Sequence, residues 1–160
     1  MLNGLKEMNL PLARCLAKFT KPLWLNGVES LTDECAIALA AHRSRLRLDG
    51  LKTLSLPAAR AFGARKTSIF LRGLTEFPVE IARCFTEHQG ILAIEGVTDI
   101  CVETAEILAR HRGMVYASSL RDVNYLVAEA LAKTRCIQIV HDDLEPLLKK
   151  LGKQSIEDIP

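Results

Sequence analysis

The stretch from Leu46 to Ser68 reads LRLDGLKTLSLPAARAFGARKTS, and its two halves carry different periods. Leu46-Arg47-Leu48-Asp49 alternates apolar and polar residues, which is the period of a strand with one buried face. Gly50 then permits a bend off the strand line. Ser55 suits a helix start, and the residues after it are helix formers in which Ala59 is followed three places on by Phe62. The unit is a short strand, a turn and a short helix.

The same unit returns every 23 residues, in rows that begin at Leu23, Leu46, Ile69, Leu92 and Val115. Gly4, Gly27, Gly50, Gly73 and Gly96 share one place in the register, and Ser119 takes the sixth. The apolar residue after each is Leu5, Val28, Leu51, Leu74, Val97 or Leu120. Alanine holds one helical slot throughout (Ala13, Ala36, Ala59, Ala82, Ala105, Ala128), with Leu or Phe three residues later. A small residue lets the helix axis approach the sheet, and the large one fills the space beside it. Thr32, Ser55, Pro78 and Asn124 stand at helix starts. A register held over six copies without an insertion means stacked units. A strand, a helix and then a parallel strand is a βα step, so stacking predicts one parallel sheet of about six to seven short strands with a row of helices beside it.

These rows resemble leucine-rich repeats, in particular a bacterial variety reading L-x-L-x-G-L-x-x-L-[ST] followed by an Ala-rich helix. The resemblance runs from Met1 to about Leu151. It departs from the commoner leucine-rich formula in having no regular Asn or Cys in the loop, where the Gly-Leu step stands instead. It implies an α/β solenoid, a horseshoe or arc with the sheet on its inner face, and a protein partner held there. The domain reading is a single unit over 1–160: a partial repeat at 1–22, full repeats over 23–137 and a degenerate cap repeat at 138–160. In that last copy Ile139, Asp143, Leu144 and Leu147 fit with a one-residue insertion, and Asp142, Glu145, Lys149, Lys150 and Lys153 supply a polar end. The N-terminal side has no such cap, since Leu2, Leu5, Met8, Leu10, Leu12 and Leu16 keep the repeat pattern. An uncapped end points to self-association or to a longer protein.

In the strands, first and third positions face the helices and second and fourth face away. The outward second positions are Trp24, Arg47, Phe70, Ala93 and Tyr116; the fourth positions are Asn26, Asp49, Arg72, Glu95 and Ser118. Arg45 precedes its strand beside them. Three of the eight aromatic residues, including the lone Trp, thus share one column with arginines. Trp, Tyr and Arg are the residues most often found as binding hot spots, and an aromatic–guanidinium–aromatic strip allows cation–π contact. The candidate binding surface is therefore Trp24, Asn26, Arg45, Arg47, Asp49, Phe70, Arg72, Glu95, Tyr116 and Ser118. The bland alternative is that large side chains merely cover a β-face.

His42, His88 and His111 share one slot near the helix C-terminus, with Arg65 and Thr134 in other rows. They read as cationic or capping residues for the last carbonyls rather than as a metal ladder, because no carboxylate or Cys accompanies them at regular spacing. Cys15, Cys35, Cys84, Cys101 and Cys136 read as buried, inert thiols in apolar slots. An odd count with no close pair argues against a disulfide framework and for a reduced, cytoplasmic chain. Glu80, Glu87, Glu103 and Glu106 read as solvated outer helix faces.

Composition sets the limits. The chain has 160 residues, 49% hydrophobic and 25% charged, which is globular. A net charge of +2 gives no field for nucleic acid or an anionic membrane. No run of 18 apolar residues crosses a bilayer, and the start lacks a secretory h-region. No nucleophile elbow, P-loop, dinucleotide fingerprint or zinc-protease motif occurs. The expectation is a non-catalytic scaffold without cofactor or metal that binds a protein partner. The alternatives are a self-assembly module joined through its N-terminal end and a carbohydrate- or ligand-binding domain.

Overall fold

A computed structural model of the chain describes residues 2, 4–121, 123–132 and 137–138. Each row folds into a two-residue strand, a tight turn and a helix of six to eight residues. The elements are α1 (Leu10–Ala17), β1 (Leu23–Trp24), α2 (Asp33–Ala40), β2 (Leu46–Arg47), α3 (Leu56–Gly63) and β3 (Ile69–Phe70). They continue as α4 (Val79–Cys84), β4 (Leu92–Ala93), α5 (Val102–Leu108), β5 (Val115–Tyr116), α6 (Tyr125–Ala132) and β6 (Ile137–Gln138). The strands pair in chain order as one parallel sheet, and each helix packs on the helices before and after it. This α/β layering is compatible with a repeat solenoid.

The register repeats the sequence count. Leu23 lies opposite Leu46, Leu46 opposite Ile69, Ile69 opposite Leu92, and Leu92 opposite Val115. Odd strand positions donate to the next strand: Leu46 N–H to Ser68 O at 3.1 Å and Leu48 N–H to Phe70 O at 2.8 Å, for example. Leu2 N–H donates to Trp24 O at 3.0 Å, so the ladder extends one place before β1. At the other end Ile137 lies opposite Val115, a step of 22 residues where the count of 23 places Gln138. Ile137, not the expected Ile139, thus holds the first strand place, so the row is one residue short rather than one residue long; the polar cap residues beyond it lie outside the described residues.

The core is the stripe that the helices and the sheet enclose. The repeated alanines are fully buried from Ala13 to Ala128, and so are Leu39, Phe62 and Phe85 three places on. First and third strand positions are buried in every described row up to Ala117. Caps set the helix starts: Asn9 Oδ1 accepts from Leu12 N–H at 3.0 Å, and Asn124 Oδ1 from Val127 N–H at 2.9 Å. Thr32 and Ser55 do the same for α2 and α3. Pro78 caps α4 without a side-chain bond.

The chain turns at the repeated glycine as expected, but the turn is not what requires glycine. Gly50, Gly73 and Gly96 have no left-handed φ; a Cβ added to each would lie 2.2–2.3 Å from the carbonyl oxygen of Asn26, Asp49 or Arg72 in the preceding row. Contact between backbones of consecutive turns, not turn conformation, requires glycine here. Ser119 holds the same place, and there the turn bond loosens: Leu120 N–H to Ala117 O is 3.4 Å, against 3.0 Å for Val97 to Ile94.

Candidate functional site

The open face of the sheet carries the predicted column. Trp24, Arg47, Phe70 and Tyr116 are half-buried and side by side in register. The Arg47 guanidinium carbon stands 5.8 Å from the Trp24 ring centre and 5.2 Å from that of Phe70. Arg72 stands 5.5 Å from Phe70 on the neighbouring column. Each such contact is worth about 0.5–1 kcal/mol at an exposed site. The expected outward Ala93 is instead fully buried, because its methyl group lies between the taller Phe70 and Tyr116 on the adjoining strands.

Carboxylates fix the arginines. Arg47 Nε and Nη2 both donate to Asp49 Oδ2, at 3.1 and 2.8 Å, and Arg72 Nε donates to Glu95 Oε2 at 2.6 Å. Asp49 N–H donates to Asn26 Oδ1 at 3.4 Å, which ties the rows together. Asp49 Oδ1 is buried without a partner among the described residues. Trp24, Asn26, Arg47, Asp49, Phe70, Arg72 and Glu95 thus form one connected patch. Arg45, Tyr116 and Ser118 face the same side but stand outside its ion pairs and π contacts. The patch presents flat π surfaces and guanidinium edges, held in place by its own ion pairs.

The histidine slot differs from the expectation. His42, His88 and His111 are buried, and burial lowers the pKa of each, so these rings are neutral rather than cationic. Arg65 is the capping residue of the set. Its guanidinium donates to the carbonyls of Leu39, Ala40, His42 and Ser44, at 3.3, 3.0, 2.6 and 2.7 Å, and to Thr67 Oγ1 at 2.8 Å. It closes the end of α2 from the following row. Burial lowers its pKa to about 10, which leaves it charged. His88 and His111 are joined ring to ring at 3.2 Å. Among the described residues no three His, Cys, Asp or Glu side chains converge as a metal would need.

The cysteines divide. Cys35 is buried and Cys84 half-buried, but Cys15 and Cys101 are exposed. Cys15 lies on the flank of α1, the first helix of the stack. Cys101 occupies the helix-cap place that Asn9, Thr32, Ser55, Pro78 and Asn124 hold in other rows, and its sulfur accepts from Thr104 N–H at 3.5 Å. The Thr104 hydroxyl and backbone hold its thiol below the ordinary value. Cys136 lies outside the described residues. The glutamates behave as expected: Glu80, Glu87, Glu103 and Glu106 are exposed. Sequence reasoning also missed an apolar groove between α1 and α2, lined by Leu10, Ala17, Ile37, Ala38 and Ala41.

Among the described residues no helix is long and apolar enough to cross a membrane. Comparison with protein-family models, with curated proteins and with solved structures finds no match for the chain.

Proposed function

We propose that this chain is a leucine-rich-repeat-type solenoid that acts as a non-catalytic scaffold and holds a protein partner on the exposed face of its parallel sheet. The observation that carries the reading is the ordered strip Trp24–Arg47–Phe70–Arg72, with π contacts of 5.2–5.8 Å along it. Arginine side chains are costly to immobilise, and here Asp49 and Glu95 hold them before binding. Protein is favoured over nucleic acid because Arg47 and Arg72 already spend their charge on Asp49 and Glu95.

The test is comparative capture. Wild type, a Trp24→Ala/Phe70→Ala double variant and a helix-side Arg83→Ala variant are used as bait, and captured proteins are then re-bound in purified form. The reading expects at least one protein that binds wild type and Arg83→Ala and loses roughly tenfold or more in affinity for the column variant, as hot-spot truncation does. Identical partners and affinities for all three baits would sink it.

A further inference from the structure

We propose that His88 and His111 form an acid-sensitive latch between successive repeats, a hydrogen-bond relay with one permitted set of proton positions that an added proton breaks. The proton positions follow from the partners at the two ends. His88 Nε2 lies 3.1 Å from Thr67 O, a carbonyl that can only accept, so Nε2 carries a proton. In the neutral ring Nδ1 is then an acceptor, and it lies 3.2 Å from His111 Nε2, which must donate. His111 Nδ1 is left as an acceptor, and Gly113 N–H donates to it at 3.0 Å. The relay runs one way, from Gly113 N–H through His111 and His88 to Thr67 O, with both rings neutral and protonated at Nε2.

No further proton fits. A proton on His88 Nδ1 faces the N–H of His111, and moving the His111 proton to its own Nδ1 sets it against Gly113 N–H. Each arrangement leaves two donors in contact and breaks a hydrogen bond. Among the described residues burial outweighs the backbone groups of Thr67, Gly90 and Gly113 that favour the charged rings. His88 is 0% exposed and His111 4%. The charged and titratable groups that act on His88 are the Arg65 cation on one side and His111 on the other. Arg65 holds the Thr67 hydroxyl at 2.8 Å, so its connector and the relay share one residue. The charged neighbours in sequence, Glu87, Arg110 and Arg112, are exposed, and Glu87 and Arg112 pair with each other at 3.2 Å.

The latch spans the connectors that precede β3, β4 and β5, through Thr67, His88 and Gly113. Burial, with smaller contributions from His111 and Arg65, pushes the His88 pKa from 6.5 down to about 4, and burial lowers that of His111. The unfolded chain therefore takes up these protons before the folded one. The stability from the latch is complete above pH 6.5 and is lost as pH falls from there toward 4.

Imidazole 15N spectra of the full chain, with His88 and His111 assigned by single substitution, test the proton positions directly. At about pH 7 both rings are expected neutral with the proton on Nε2, and His88 is expected to titrate well below 6.5. Amide protection near Ile69, Leu92 and Val115 is expected to fall over the same range. A His88→Gln/His111→Gln variant, which carries no titratable ring here, is expected to unfold at a pH lower by roughly half a unit or more. An Nδ1–H tautomer in either ring, or a His88 midpoint near 6.5, overturns the proposal. So does a folded double variant whose acid midpoint equals that of wild type. If that variant does not fold, the wild-type spectra decide alone.

Discussion

Replacing Gly73 by Ala tests the reason given for the glycine column. Gly to Ala at an unstrained position usually stabilises by about 0.4–1 kcal/mol, through the unfolded chain. At Gly73 the new Cβ would sit 2.3 Å from Asp49 O and 2.8 Å from Leu51 O, both backbone atoms that cannot swing aside. Restoring ordinary contact of roughly 3.4 Å or more opens the two turns by about 1 Å. An opening of that size stretches the neighbouring Leu48 N–H to Phe70 O bond, now 2.8 Å, beyond hydrogen-bonding range. Overpacking of this kind costs about 1–3 kcal/mol and the lost bond about 0.5–1.5, less the unfolded-state gain. The net expectation is a loss of about 1–3 kcal/mol. Gly4 has the same place in the repeat, but a Cβ there meets nothing within 4 Å. Gly4→Ala is therefore expected to be neutral or stabilising by up to about 1 kcal/mol. Urea unfolding of wild type and both variants reads the difference as a lowered midpoint for Gly73→Ala and an unchanged or raised one for Gly4→Ala. A Gly73→Ala protein as stable as wild type, or a Gly4→Ala protein destabilised as much as Gly73→Ala, would refute the close-approach argument.

Two further substitutions probe the connectors and the core. Arg65→Met removes a buried guanidinium that serves four carbonyls and the Thr67 hydroxyl, and is expected to cost about 3–5 kcal/mol in urea unfolding, with Arg65→Lys intermediate; a change within about 0.5 kcal/mol contradicts the capping role. Phe62→Ala empties a fully buried site in the middle of the stack and is expected to cost about 3–5 kcal/mol; a cost below about 1 kcal/mol means the layers collapse onto the gap.

What the sequence made legible was whatever depends on period. Strands, helices, the buried alanines and the Trp24–Arg47–Phe70 column all follow from the row alignment, because side-chain direction in a short strand is set by position alone. Features that depend on distances between rows were not legible. Gly50 and Gly73 are turn residues, as read, but the carbonyl beneath them that requires glycine had to be located. The slot shared by Arg65, His88 and His111 was visible, but the neutral, relayed state of its two histidines needed the partner atoms at either end. Ala93 shares the outward column, but its burial there was not evident until its neighbours' height was known. Cys101 read as core because Cys is commonly buried, although its row position matched the caps Thr32, Ser55 and Asn124. Column contacts such as Arg47 with Asp49 are within reach by sequence; that they leave Asp49 Oδ1 free is not.

The glycine column also works as a vernier. Gly50, Gly73 and Gly96 each lie directly against a carbonyl of the turn before, so the phase of one row is handed to the next at a single contact. A residue gained or lost elsewhere in a row then has to be absorbed before the following glycine, and the fault stays local. The first row whose vernier mark is missing, with Ser119 in place of glycine, is also the row that runs to 22 residues before Ile137 meets Val115. Phase slippage in this architecture is therefore expected where the small residue is lost, and chains that keep the glycine should keep count.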